Sequence, residues 1–210
     1  MLLSDLTNLP ARVLTELRAT TPLELAAALT GAAGVWLAAR NRIANFPVGI
    51  VCCALYIAVF IRARLYSDAG LQVAFIALNA YGWAEWRRRG AAVGTETAPT
   101  VPISRTGPGL ALGLAGAGLL YAGGGGYYFA QHTDAALPYY DSATTAVSLV
   151  AQYLLSRRKL ENWLLWIAVD VVYVGMYWHR GLALTSLLYA VFLGLAAYGF
   201  WQWRREMVRW

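Results

Sequence analysis

The sequence predicts an all-α integral membrane protein with seven transmembrane helices, and three observations carry that reading. Hydrophobic residues make up 59% and charged residues 13% of the 210, against roughly half apolar and a quarter charged in soluble domains. The charges gather in short intervals, and the apolar runs between them approach the roughly 20 residues that a helix needs to cross a bilayer. Finally, the two halves of the chain resemble each other without a gap, which sorts the spans into two units of three.

Residues 1–21, MLLSDLTNLPARVLTELRATT, have no continuous apolar core and carry Asp5 and Glu16. They lack the pattern of a cleaved signal peptide and read as a short surface helix outside the bilayer. Spans follow at Pro22 to Ala39, Phe46 to Ile61 and Ala69 to Trp86, forming a first unit over 22–89. The Thr, Pro and Gly of residues 90–108 mark a cytoplasmic loop. The fourth span, 109–130, runs through LGLAGAGLLYAGGGGYYF; its lack of side-chain chemistry suits a linker helix packed closely on its neighbours. Tyr139 to Leu155, Trp163 to Trp178 and Leu182 to Trp203 complete a second unit over 139–205.

The net charge of +6 comes mostly from arginine. Nucleic-acid binding would gather those arginines on one face, whereas here they stand at the ends of spans, so membrane lipid and not nucleic acid is the expected surroundings. Arg40, Arg42, Arg87, Arg88, Arg89, Arg105, Arg157, Arg158, Lys159, Arg204, Arg205 and Arg209 fall on one side. Only Arg12, Arg18, Arg62, Arg64 and Arg180 fall on the other. Because cytoplasmic loops hold the excess of Lys and Arg, the C-terminus is expected in the cytoplasm and the N-terminus outside.

Sliding residues 40–88 onto 157–205 sets RNRIANF against RRKLENW and AYGWAEWRR against AYGFWQWRR. Asn45 then meets Asn162, Tyr56 meets Tyr173 and Phe75 meets Phe192. Interfacial aromatic belts repeat loosely, so a gapless match of this length points to duplication. Two three-span units joined directly would face opposite ways, and the extra fourth span makes them parallel. This 3+1+3 arrangement places a substrate near the bilayer midplane, between the repeats.

The sixth span, in ENWLLWIAVDVVYVGMYW, spaces Trp163, Trp166, Asp170, Tyr173 and Tyr177 at three or four residues, hence on one helical face. Such a face stacks on a flat ring and favours a cation. Trp163 also fits an interfacial belt, and Asp170 a structural hydrogen bond to another helix. The fifth span aligns Asp141, Thr144, Ser148 and Gln152, where the first repeat has Glu24, Ala27, Gly31 and Val35. The third aligns Asp68, Gln72 and Asn79, where the seventh has Thr185, Tyr189 and Ala196. A polar lining on one side of each pair suits one asymmetric ligand, although contacts worth about 0.6 kcal/mol between packed helices draw on the same residue types. The candidate binding residues are Trp163, Trp166, Asp170, Tyr173, Gln72, Asn79, Ser148, Gln152 and Tyr56.

Other chemistries find no support. His132 and His179 lack an HExxH setting or a cysteine partner; Cys52 and Cys53 are adjacent, without bridge or metal spacing. There is no GxxxxGK[ST] for ATP, and the sole lysine, Lys159, lies in a loop, unlike a retinal-bearing lysine. No cofactor and no enzymatic activity are expected.

The segments NFPVGIVCCALYIAVFIRARLYSDAGLQVAFIALNAYGW and ENWLLWIAVDVVYVGMYWHRGLALTSLLYAVFLGLAAYGFWQWRR resemble PnuC transporters over about residues 22–205. Trp163-x-x-Trp166 after Glu161-Asn162, LYSDAGLQ and YGW are the most specific parts. The resemblance implies uptake of nicotinamide riboside across a bacterial inner membrane by facilitated diffusion, with trapping by intracellular phosphorylation. It also implies three-helix repeats similar to those of SWEET sugar transporters, a family tryptophan pair at Trp163 and Trp166, and possible homotrimers. Members specialised for thiamine, riboflavin or deoxynucleosides stay open as alternatives, and a seven-helix receptor using the same pocket is a further one.

Overall fold

The computed structural model describes residues 9–64, 66–91, 102–133 and 137–208. Most of the expected loop over 90–108 and the first residues of the N-terminal segment lie outside them. The described chain forms eight helices: α1 (Leu9–Ala19), α2 (Pro22–Ala39), α3 (Asn45–Arg62), α4 (Tyr66–Ala91), α5 (Pro108–His132), α6 (Pro138–Ser156), α7 (Asn162–His179) and α8 (Ala183–Val208).

Local chemistry sets several of these starts. Thr21 and Glu24 make a capping box at α2, each side chain bonding the other residue's backbone N–H, which satisfies amides that a helix start leaves unpaired. Proline occupies the first turn of α2, α5 and α6, where its missing N–H costs nothing.

Four helices, α2, α3, α5 and α8, are long and apolar enough to cross a membrane by length and composition. α4, α6 and α7 carry polar residues that lower their hydropathy. In α6 these include Ser142, Thr144, Ser148, Gln152 and Ser156, all buried; the polarity faces protein. Six helices close a ring: α2 packs on α3, α3 on α4, α4 on α6, α6 on α7, α7 on α8, and α8 back on α2.

The turns of the ring recur at a fixed interval. Asn41 after α2 and Arg158 after α6 both take left-handed backbone, φ 56° and 54°, and Arg64 after α3 and Gly181 after α7 do so at φ 59° and 78°. The amide of Asn45 donates to the Arg42 carbonyl at 2.7 Å, as that of Asn162 does to Lys159 at 2.6 Å. Members of each pair stand 117 residues apart. Packing repeats as well: Gly82 lies against the Phe46 ring, and Gly199 against the Trp163 ring, so closely that a Cβ at either would overlap the ring. Trp86 Nε1 donates to the Ser156 carbonyl at 3.1 Å and Trp203 Nε1 to that of Ala38 at 3.0 Å, so each tryptophan reaches across to the other half of the ring.

Two expectations need correction. α5 packs on α6 alone, and Gly109, Gly113, Gly116, Gly118, Gly123 and Gly124 have open space where a side chain would stand. Only Gly125 and Gly126 make close contacts, with Ser142 and Tyr139; most of the glycine face is an outer surface, not a tight joint. Arg158, grouped by sequence with surface loop charges, is 1% exposed. Its guanidinium lies 4.1 Å from the Trp86 ring centroid, and Nη2 donates to Asn41 Oδ1 at 2.6 Å. Burial pushes its pKa down to about 10, with the Glu206 carboxylate opposing, so the group keeps its charge at neutral pH.

α1 is held in place by the last helix. The Glu16 carboxylate accepts from the backbone N–H of Ala183 at 2.9 Å and of Leu184 at 2.8 Å, while Arg12 donates to the Gly181 carbonyl at 2.7 Å. Glu16 therefore caps α8 from outside the helix, where the unpaired amides and the positive dipole end favour a carboxylate.

Candidate functional site

The ring encloses a cavity of about 610 Å³. Its walls run the length of α3 and α7, from Asn45 and Trp163 at their starts to Phe60, Tyr177 and Arg180 at their ends. At the latter end the exposed Asp68 and Arg180 form a rim. At the other end Phe46, Trp86, Trp163, Trp203, Arg158, Asn162 and Ser156, each below 2% exposure, form a closed layer. The vestibule opens past Asp68 and is plugged below Trp163.

Eight of the nine sequence-derived candidates line this cavity: Trp163, Trp166, Asp170 and Tyr173 from α7, Gln72 and Asn79 from α4, and Ser148 and Gln152 from α6. Tyr56 does not; it stacks on Phe60 at 5.6 Å within α3. Trp163 is not a belt residue either. It is 1% exposed, wedged against Gly199 and edge-on to Trp203 with centroids 5.5 Å apart, so it forms the floor, while the half-buried Trp166 presents more surface.

The polar wall is organised by one contact. Gln152 Nε2 donates to Asn79 Oδ1 at 3.1 Å, and Asn79 Nδ2 donates to the Phe75 carbonyl at 2.8 Å. Gly49 makes room for Asn79, since a Cβ there would lie 2.7 Å from Oδ1. Ser148 donates to the Thr144 carbonyl at 2.8 Å and so offers its oxygen chiefly as an acceptor. Where the repeat register puts Ala196 and Val35 in place of Asn79 and Gln152, the ring is apolar.

Asp170 is 5% exposed, and among the described residues no side chain or backbone group donates to its carboxylate. Past it, Tyr173, Tyr177 and Tyr189 gather, with centroids 4.8 Å (Tyr173 to Tyr189), 5.3 Å (Tyr177 to Tyr189) and 5.9 Å (Tyr173 to Tyr177) apart. Tyr189 is absent from the sequence-derived candidates. Its signal was available, because it falls at the register of Gln72 in the other repeat. No group of three His, Cys, Asp or Glu suited to a metal occurs among the described residues. The arrangement offers stacking surface, hydrogen-bonding amides and one buried carboxylate, but no nucleophile paired with a base.

The model of the family described as nicotinamide mononucleotide transporter matches residues 21–205. The nicotinamide riboside transporter PnuC of Escherichia coli K12 is 27% identical over 201 residues, covering 86% of this chain and 84% of the relative. The protein of the same name from Neisseria mucosa is 29% identical over 192 residues, covering 87% and 72%. The riboflavin/roseoflavin transporter RibM of Streptomyces davaonensis is 25% identical over 174 residues, covering 78% and 76%. Among solved structures, the crystal structure of the vitamin B3 transporter PnuC superimposes with a TM-score of 0.72 at 26% identity, over 97% of this chain and 90% of that one.

Proposed function

The chain belongs to the nicotinamide mononucleotide transporter family, and on that premise we propose that it takes up nicotinamide riboside through the ring cavity. The observation that carries this reading is the pairing of a stacking surface at Trp166 with a buried carboxylate at Asp170, facing the Gln152–Asn79 amides. Trp166 stacks on the pyridinium ring; Gln72, Asn79, Ser148 and Gln152 bond the carboxamide and ribose hydroxyls. A cavity of about 610 Å³ lies within the usual range for small-molecule sites, about 300–1,000 Å³.

The family description mentions a mononucleotide, and the cavity argues for the nucleoside. Arg180, at the rim, is the only basic residue among the described residues lining it. A phosphate in its depth would be left without the Arg or Lys that pairs such groups, and it would share the cavity with Asp170.

Transport proceeds by alternating access. Seven helices span the membrane, with α2–α4 and α6–α8 as parallel units joined by α5 in a 3+1+3, SWEET-like layout; the recurrence of left-handed turns and glycine–ring contacts at 117 residues supports it. The Arg158 end faces the cytoplasm and the Asp68 end the outside, consistent with the arginine distribution. The plug at Trp86 and Trp203 then seals the inner side while the vestibule admits substrate. Movement is facilitated diffusion, made net inward by phosphorylation of the riboside in the cell.

Counterflow of labelled nicotinamide riboside in proteoliposomes, without ATP and without ion gradients, tests the reading. Exchange under those conditions is expected; a strict need for an imposed sodium or proton gradient, or binding without exchange as in a receptor, would refute it.

A further inference from the structure

We propose that Trp166 and Asp170, backed by Tyr173, Tyr177 and Tyr189, form a cage for a permanently charged heterocycle, so that the cavity accepts the oxidised, cationic nicotinamide ring and rejects its reduced, neutral form. The proposal rests on the cavity being the transport site and goes further by fixing which property of the ligand is read.

Three tyrosine rings from two helices, with centroids 4.8 to 5.9 Å apart, pack against one another and line the cavity next to Asp170, where the negative faces of aromatic rings favour a cation. Asp170 stands on the same face of α7 as Tyr173 and Tyr177, three and seven residues on. It is 5% exposed, lines the cavity and receives no hydrogen bond or ion pair from any described residue. A carboxylate held that way in a low-dielectric interior is costly unless a cation arrives to face it.

The charge is also one-sided. In the repeat register Cys53 occupies the position of Asp170 and Phe60 that of Tyr177, so the α3 wall offers no counterpart. Arg180, the one cation lining the cavity among the described residues, is at the exposed rim. A ligand with charge at one end and hydroxyls at the other is thereby oriented, ring toward α7 and α8.

Nicotinamide riboside and its dihydro form are nearly the same size and differ in ring charge, so they separate charge from shape. Calorimetric titration of purified, monodisperse protein with both, and with thiamine as a cation lacking ribose, is the test. The cationic riboside is expected to bind at least about tenfold tighter than the dihydro form. Asp170→Asn and Tyr189→Leu should each shrink that ratio, Asp170→Asn toward unity. Equal affinity of the wild-type protein for the two riboside forms would overturn the cage and leave the substrate assignment standing; this comparison needs no variant, so a misfolded mutant cannot obscure it. Thiamine binding without either riboside would overturn the substrate and keep the cage, and binding of neither cation would overturn both.

Discussion

Asn41 and Arg158, the left-handed turn residues that stand 117 positions apart, bond directly to each other at 2.6 Å. Both residues hold left-handed backbone, a region that glycine adopts freely and asparagine more readily than alanine. Asn41→Gly should therefore lose only the side-chain bonds to Arg158 and Glu206, while Asn41→Ala adds backbone strain of about 1 kcal/mol. Thermal unfolding in detergent should rank them wild type, Gly, Ala. An alanine variant as stable as the glycine variant would mean that the turn relaxes freely.

Glycine positions should divide by what surrounds them. Gly82→Ala and Gly199→Ala push a methyl into the Phe46 and Trp163 rings, and overpacking of this kind costs about 1–3 kcal/mol. Gly116→Ala, on the open face of α5, should be neutral or gain up to about 1 kcal/mol of helix propensity. Matched melting curves of the three variants decide the point; equal losses at Gly116 and Gly199 would deny the contrast.

In the cavity, Trp166→Ala should lose about 0.5–2 kcal/mol of ring stacking, a several-fold to about thirtyfold fall in affinity for nicotinamide riboside. Gln152→Ala should also weaken binding, because it leaves Asn79 Oδ1 without its donor. Each variant must first elute as a single species from a sizing column. Unchanged titrations in both would return these residues to helix packing.

Much of this was legible in the sequence, and the parts that were not share a cause. Seven apolar runs reappear as helices within a few residues of their ends because hydrophobic length and charged punctuation are local signals. Eight cavity residues were found because α4, α6 and α7 each carry a polar or aromatic stripe on one face. Tyr56 sits 117 residues before Tyr173, yet it stacks on Phe60 within α3. Arg158 resembled its loop neighbours in every local respect; what buries it is Trp86 and Asn41, each supplied by a distant part of the chain. Likewise nothing in the composition of Glu16 told of the helix end it caps.

Orientation is open to a direct check. Cysteines placed in the 90–108 loop and near the C-terminus should react with impermeant maleimide only after the cells are opened, and one near Arg64 should react at once. Labelling of the C-terminal site in intact cells would invert the assigned topology.

Glu16→Gln should weaken the two bonds to Ala183 and Leu184 and lower stability by about 0.5–2 kcal/mol, the range for lost helix caps. Proteolysis of α1 in detergent should speed up correspondingly, and an unaltered cleavage rate would show that Arg12 and apolar contact suffice.

The bonds from Glu16 span 167 and 168 residues of chain, which sets an order of events during synthesis. α1 leaves the ribosome early, but the backbone amides it grips belong to the final helix. The clasp therefore closes only after every intervening helix has been made, and it joins α1 to α8. Until then α1 lacks these partners, so its protection from protease reports that the start of α8 has reached it.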